Sequence, residues 1–308
     1  MSALSKHLDN YLKLRRQLGF KLHDAEGLLR KFVHFVKKQS SSAITSKLAL
    51  RWAAPSKMSP ARSAARLGVV RQFAEYVSAI DPRTEVPPQK LLPYAYRRRT
   101  PHLYREEEVG RLIEAARQID PESPIKGATF SILLGLLAVT GMRVNEAVSL
   151  ERSDVDLVAG LLTVRRAKGN KSRLVPLHVS TQEALRHYAI LRDQVCPRPL
   201  SSKFFVAGRG TSPHLSTVNR WFLRVACQLE LRQPGDRRGP RVHDLRHHFA
   251  IQTLLRWYST DVDVEVHLPE LSAYLGHVHV RDTYWYLSAT PELLRLATRR
   301  WERTEAGR

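Results

Sequence analysis

The chain has 308 residues, carries 50 Lys plus Arg against 29 Asp plus Glu for a formal charge of +21, and is 43% hydrophobic with 17 prolines and 15 glycines. That length suggests two domains with sizeable cores, and the composition excludes a disulfide-stapled miniprotein and a disordered tail. The basic excess is uneven: residues 1–100 hold 20 basic and 6 acidic side chains, a net +14, and residues 101–308 hold 30 and 23, a net +7. A field of that size concentrates polyanions, so nucleic acid or an anionic membrane is the expected partner, against the blander reading of a chain that is merely basic. No apolar run reaches the roughly 18 residues of a membrane span, and the start, MSALSKHLDNYLK, has no signal-peptide core, so a soluble cytoplasmic protein with no membrane contact is expected. Cys196 and Cys227 are too isolated for a metal ribbon and are assigned no role.

Leu4, Leu8, Tyr11, Leu12 and Leu18 fall close to a helical period over residues 4–19, and Leu28, Leu29, Phe32, Val33 and Val36 repeat it before the Ser40–Ser42 stretch breaks the second helix. Ser59-Pro60 opens a longer helix that Asp81-Pro82 ends. Five prolines between Pro82 and Pro101, with the run Arg97-Arg98-Arg99, predict an interdomain linker over about 82–101. Beyond it, Tyr104–Ile119 predicts a helix, and Phe130–Val139, apolar nearly all round, predicts one buried in a core. Leu161–Arg166 and Ser172–Leu177 read as a β-hairpin with Gly169-Asn170 in its turn. Helices follow over 181–192, 215–230, 244–257, 268–275, 280–287 and 291–301. The fold class is mainly α with a small β-sheet.

Four segments stand out: Thr140-Gly141-Met142-Arg143-Val144-Asn145-Glu146, the Lys168 hairpin, His243-Asp244-Leu245-Arg246-His247-His248, and Leu275-Gly276-His277 with Tyr286 nine residues on. Each taken singly also fits a bland role, such as a structural Arg143–Glu146 pair, a helix-capping His243, or a core His277. In this order they resemble the tyrosine recombinase family, the phage integrases and related site-specific recombinases. That family's pattern is an Arg in T-G-x-R-x-x-E, a Lys on a β-hairpin, an H-x-L-R-H box, an L-G-H box and a Tyr nine residues later. The C-terminal stretch looks most like recombinases carried by transposons and insertion elements.

The resemblance implies a helical core-binding, DNA-clamping domain over 1–97 and an α+β catalytic domain over 98–308. It implies a DNA strand-transferase for specific double-stranded sites of a mobile element, working through a 3′-phosphotyrosyl intermediate. Neither metal nor other cofactor is called for, and a tetramer on DNA is expected, with sister recombinases as further partners, in the cytoplasm and associated with the nucleoid. Arg143 and Arg246 would stabilise charge on the nonbridging oxygens, for which guanidinium forks are suited. Lys168 would protonate the leaving 5′ oxygen, with Lys171 as the alternative. A phenol with a pKa near about 10 needs an acceptor and nearby positive charge, which His243 fits, while His277 fits a second hydrogen bond to the phosphate. Family spacing selects Tyr286 over Tyr284 as nucleophile. Glu146 and Asp244 are expected to support these groups, and Arg97, Arg98, Arg99, Lys171 and Arg173 to contact DNA.

Competing readings are a catalytically inactive DNA-binding relative acting as an accessory or regulatory protein, a helix-turn-helix regulator, and a zinc site at His243 and His247, which stand four residues apart. The zinc reading lacks the H-E-x-x-H base and places Arg246 among the ligands. Residues 288–308, with an apolar stripe including Leu293, Leu294 and Trp301, fit docking onto a partner subunit and packing on their own domain equally.

Overall fold

The computed structural model describes residues 2–20, 22–56, 58–93, 100–165, 172–208, 210–236, 239–260, 262–288 and 290–306. The chain divides into two compact units, 1–99 and 100–308.

In the first unit, helices α1 (Ala3–Gln17), α2 (His23–Lys38), α3 (Ser46–Ala53) and α4 (Pro60–Ser78) enclose a core that includes Leu8, Leu12, Phe32, Val36, Trp52, Val70 and Phe73. The pattern of apolar residues does not predict α3. It is one short helix after a serine-rich stretch, begun by Thr45, whose hydroxyl accepts from the Leu48 amide. The start of the expected linker belongs to this unit: the Glu85 amide donates to the Ile44 carbonyl, and the Arg71 side chain to that of Pro87.

The second unit is built on α5 (Glu106–Arg117) and the buried α6 (Pro124–Thr140), followed by the short α7 (Val144–Ser149). The antiparallel sheet β1 (Val155–Asp156), β2 (Leu161–Val164), β3 (Arg173–Pro176) comes next. In its β2–β3 register Leu162 faces Val175 and Val164 faces Arg173; Leu162, Val164 and Val175 turn into the core. The two-residue β1 was not legible in the sequence.

Helices α8 (Val179–Val195), α9 (Leu215–Gln228), α10 (Asp244–Ser259), α11 (Val264–Leu275) and α12 (Arg281–Tyr284) follow, then a 3₁₀ turn Trp285–Ser288 and α13 (Pro291–Ala306). The mainly α fold with one small sheet is as expected, with two shifts that matter. α11 starts four residues before the expected 268, because Asp263 caps the amides of Glu265 and Val266 and the helix runs through Pro269. The helix expected over 280–287 tightens into a 3₁₀ turn at Trp285, so Tyr286 sits on that turn. α13 rests on its own unit, with Leu293 fully buried and Arg300 donating to the Val262 carbonyl at 2.6 Å. None of the described helices is long and apolar enough to cross a membrane.

Candidate active site

α6 ends on Gly141 in the left-handed region, at φ 60°. A Cβ there would come within 2.5 Å of the Phe249 ring, so only glycine lets α6 end against α10. The turn delivers Arg143 to the start of α7, where Glu146 gathers four donors. Its Oε1 accepts from Arg143 Nη1 at 2.8 Å and Arg173 Nη1 at 3.2 Å, and its Oε2 from the Arg143 amide at 3.0 Å and Arg173 Nη2 at 2.7 Å. The carboxylate's acceptor sites are thereby filled. Burial pushes Glu146 up, but the Arg173 hydrogen bonds and charge, and then Arg143, outweigh it and hold the group down at about 2. It is a fixed anion.

Arg246, on α10 and 2% exposed, donates from Nη1 to the Gly141 carbonyl at 2.8 Å and from Nη2 to the Leu275 carbonyl at 2.7 Å. Arg143 Nη2 donates to the Gly276 carbonyl at 3.0 Å. The two arginines thus tie the end of α6 to the end of α11, which brings the T-G-x-R and L-G-H segments together. Burial, then the charge of Arg143, lowers Arg246 to about 10, so it stays cationic at neutral pH. Asp244, almost fully buried, accepts from the Arg241 amide at 2.9 Å and from Arg241 Nη2 at 2.7 Å, fixing the turn that carries His243.

His243 stands at the head of α10 with an edge open to solvent. Desolvation of the ring, then the charge of Arg246, lowers its pKa to about 4, with the charge of Asp244 opposing the shift. At neutral pH it is a neutral imidazole able to accept a proton, so the site's positive charge comes from its arginines. Desolvation lowers His248 as well. Because folding disfavours the protonated form of both, their contribution to stability is whole above the ordinary histidine value of 6.5 and is lost as pH falls below it. Glu146 adds a separate loss only below 4.5, towards about 2. Thermal denaturation against pH should therefore show a decline beginning near pH 6.5, and the decline should be shallower in His243→Gln.

α11 closes on Gly276 at φ 68°, with the His277 amide bonded back to the Ser272 carbonyl at 3.0 Å. His277 Nδ1 pairs with the Thr283 hydroxyl at 2.7 Å, and Thr283 is fully buried. Tyr286 is 1% exposed. Its ring lies parallel to His277 at 6.2 Å between centroids and tilted against His247 at 5.5 Å, and the His247 ring meets that of His243 at 5.1 Å. Tyr284 faces outwards, 53% exposed.

Arg143, His243, Arg246, His277 and Tyr286 accordingly form one cluster, with Glu146 and Asp244 behind it. Lys168, Lys171, Arg97, Arg98 and Arg99 lie outside the described residues. Arg173, expected to contact DNA, has a side chain 12% exposed whose guanidinium is engaged by Glu146 and the Tyr274 carbonyl. Thr283 carries no signal in the sequence, and the spacing of His247 from His243 suggests only a metal ligand. The second His of the H-x-L-R-H box, one turn beyond the first, was the available signal for His247; nothing comparable marks Thr283. No group of three or more His, Cys, Asp or Glu stands ready for a metal ion among the described residues.

Residues 103–292 match the phage integrase family. The chain is 44% identical over 308 residues to the putative integrase/recombinase y4rB of Sinorhizobium fredii, covering 98% of each. Among solved structures, the Tn1549 transposon integrase in complex with a circular intermediate DNA superposes with a TM-score of 0.65 at 15% identity, over 96% of this chain and 99% of that one. A lambda integrase tetramer bound to a Holliday junction gives 0.59 at 19% identity, over 90% and 77%. These two likenesses show the fold. With most of its second unit matched to the family and a relative this similar over nearly its whole length, the chain belongs to the phage integrases, or tyrosine recombinases, and is a site-specific DNA recombination enzyme related to those of mobile elements.

Proposed function

We propose that Tyr286 attacks a DNA phosphodiester, its phenolic oxygen bonding to phosphorus as the bond to the 5′ oxygen breaks, to leave a 3′-phosphotyrosyl link and a free 5′ hydroxyl. The phenol's proton passes to His243, which is neutral and open to solvent, and Lys168 returns a proton to the 5′ oxygen. Arg143 and Arg246 spread the charge that develops on the nonbridging oxygens, and His277 adds a hydrogen bond there, its Nδ1 already held by Thr283. The observation that carries this reading is the packing of the Tyr286 ring against His277 and His247, within the cluster that holds Arg246.

Strand rejoining reverses these steps with a 5′ hydroxyl from the partner duplex, and the phosphodiester energy is kept in the covalent link. The first unit, with its net +14 over residues 1–100, clamps the duplex. Exchange of two duplexes requires four cleavages, hence four copies of the chain, an arrangement of the kind found in the lambda integrase tetramer on its junction.

The test is a nicked suicide substrate built from the boundary of the element that carries the gene. Cleavage should proceed in excess EDTA without nucleotide, give a protein–DNA adduct on a denaturing gel, and leave a 5′ end that polynucleotide kinase labels directly. Strict dependence on a divalent ion, or a 5′ end already phosphorylated, would return the histidines to a metal-nuclease role.

A further inference from the structure

One side chain, Arg173, links the T-G-x-R segment to the end of α11, two of the stretches that the cluster brings together. Arg173 opens β3, immediately after the hairpin segment that includes Lys168 in the sequence. Its Nη1 and Nη2 grip both oxygens of Glu146 at 3.2 and 2.7 Å, and its Nε donates to the Tyr274 carbonyl at 2.8 Å, two residues before Gly276. Glu146 and the Gly276 carbonyl are in turn the acceptors that hold the two ends of the Arg143 guanidinium, at 2.8 and 3.0 Å. The contacts close a ring: Arg143, Glu146, Arg173, the end of α11, and back to Arg143. The fit around Arg173 is tight as well. A Cβ on Gly276 would lie 2.8 Å from Arg173 Nη1, so the glycine of the L-G-H box leaves the room this guanidinium occupies.

Within the ring the two arginines differ. The Arg143 side chain is 26% exposed, and the Arg173 side chain is 12% exposed with each of its guanidinium nitrogens engaged by protein. A phosphate could reach only the one N–H left on each Nη, and it would compete with a buried carboxylate for the orientation of the fork. A planar fork is also required by the geometry, since a point charge cannot serve both carboxylate oxygens and a carbonyl on another element.

We propose that Arg173 is a positioning residue for DNA cleavage. It fixes Glu146 against the end of α11 and so holds the Arg143 guanidinium in the orientation that meets the scissile phosphate. The inference rests on the proposed role of Arg143. A displacement of the guanidinium by about an ångström is the kind of error that costs on the order of a hundredfold in rate. Arg173→Gln should therefore lower single-turnover adduct formation on the suicide DNA by roughly tenfold to a hundredfold. DNA affinity and its salt dependence should stay at wild-type values, because no phosphate contact is lost.

The decisive measurement is a double-mutant cycle with Arg143→Ala. If Arg173 works through Arg143, adding Arg173→Gln to Arg143→Ala costs little further rate. If each change costs its full factor independently, Arg173 is a general support of the fold and the proposal fails. A fall in the log–log salt slope by about 0.9 in Arg173→Gln would make it a phosphate contact, which also overturns the proposal. Arg173→Lys keeps a cation beside Glu146 and guards against loss of folding, with melting temperature followed alongside. It should retain the fold and show most of the rate loss, and wild-type cleavage in it would sink the need for a fork. Wild-type protein and a Tyr286→Phe blank run in parallel. Absence of a wild-type adduct that depends on Tyr286 would count against the proposed chemistry, whereas a normal wild-type adduct with an additive cycle would count against Arg173 alone.

Discussion

Tyr286→Phe is expected to eliminate the covalent protein–DNA adduct while leaving DNA affinity nearly unchanged. The phenol oxygen is the proposed nucleophile, and a residue that lacks it has no atom to place on phosphorus. The ring is held by flanking rings, with Trp285 at 5.3 Å, His247 at 5.5 Å and His277 at 6.2 Å between centroids, and phenylalanine supplies the same ring. The fold and the DNA-facing surface are thus retained, and the loss reads as chemistry. Tyr284→Phe is the control. Tyr284 is 53% exposed, whereas Tyr286 is 1% exposed, and its variant should still form the adduct. A denaturing gel with labelled suicide DNA decides the matter, and a reversed pair of phenotypes would move the nucleophile to Tyr284.

Loss of either arginine should slow cleavage by on the order of a hundredfold or more, because a donor aimed at developing oxyanion charge disappears. The two variants should differ in stability. Arg246→Ala strips donors from the buried Gly141 and Leu275 carbonyls, each costing about 1–3 kcal/mol when left without a partner, so its melting temperature should fall. Arg143→Ala removes a more exposed side chain and leaves Glu146 paired with Arg173, so its melting temperature should change less. Lysine should restore neither rate, having no fork to offer. Single-turnover cleavage and thermal melts on the same preparations check both statements, and wild-type rates in both alanine variants would make the arginines purely structural.

Much of this was legible in the chain because the informative residues sit at element ends. Gly141 and Gly276 are the left-handed C-caps of α6 and α11, and Arg143, two residues on, and His277, the next residue, are the ones the turns deliver to the site. The apolar run Phe130–Val139 announced the buried α6 for the same local reason. What the sequence withheld depends on tertiary contact. Arg173 reads as one more cation in a basic hairpin, and only the approach of Glu146 and the Tyr274 carbonyl separates it from a phosphate ligand. Thr283 looks like any helix-surface threonine until His277 is found beside it. The short α3 and β1 carry too few residues for periodicity to appear, and the turn at Trp285 tightens where its ring packs against that of Tyr286, a contact no local pattern announces.

The covered state of Tyr286 bears on what the protein does between productive events. A recombinase searching for its site passes over many ordinary phosphodiesters, each chemically as cleavable as the right one. With the phenol inside, the proposed nucleophile is withheld from a chance encounter with the backbone. If Tyr286 is the nucleophile, its oxygen has to leave this covered position before it can reach phosphorus, and every 1.4 kcal/mol or so that this costs lowers the observed rate about tenfold at any sequence. Under the proposed mechanism, contacts made only at the proper site would offset that penalty there, and elsewhere it would stand as protection against stray nicks.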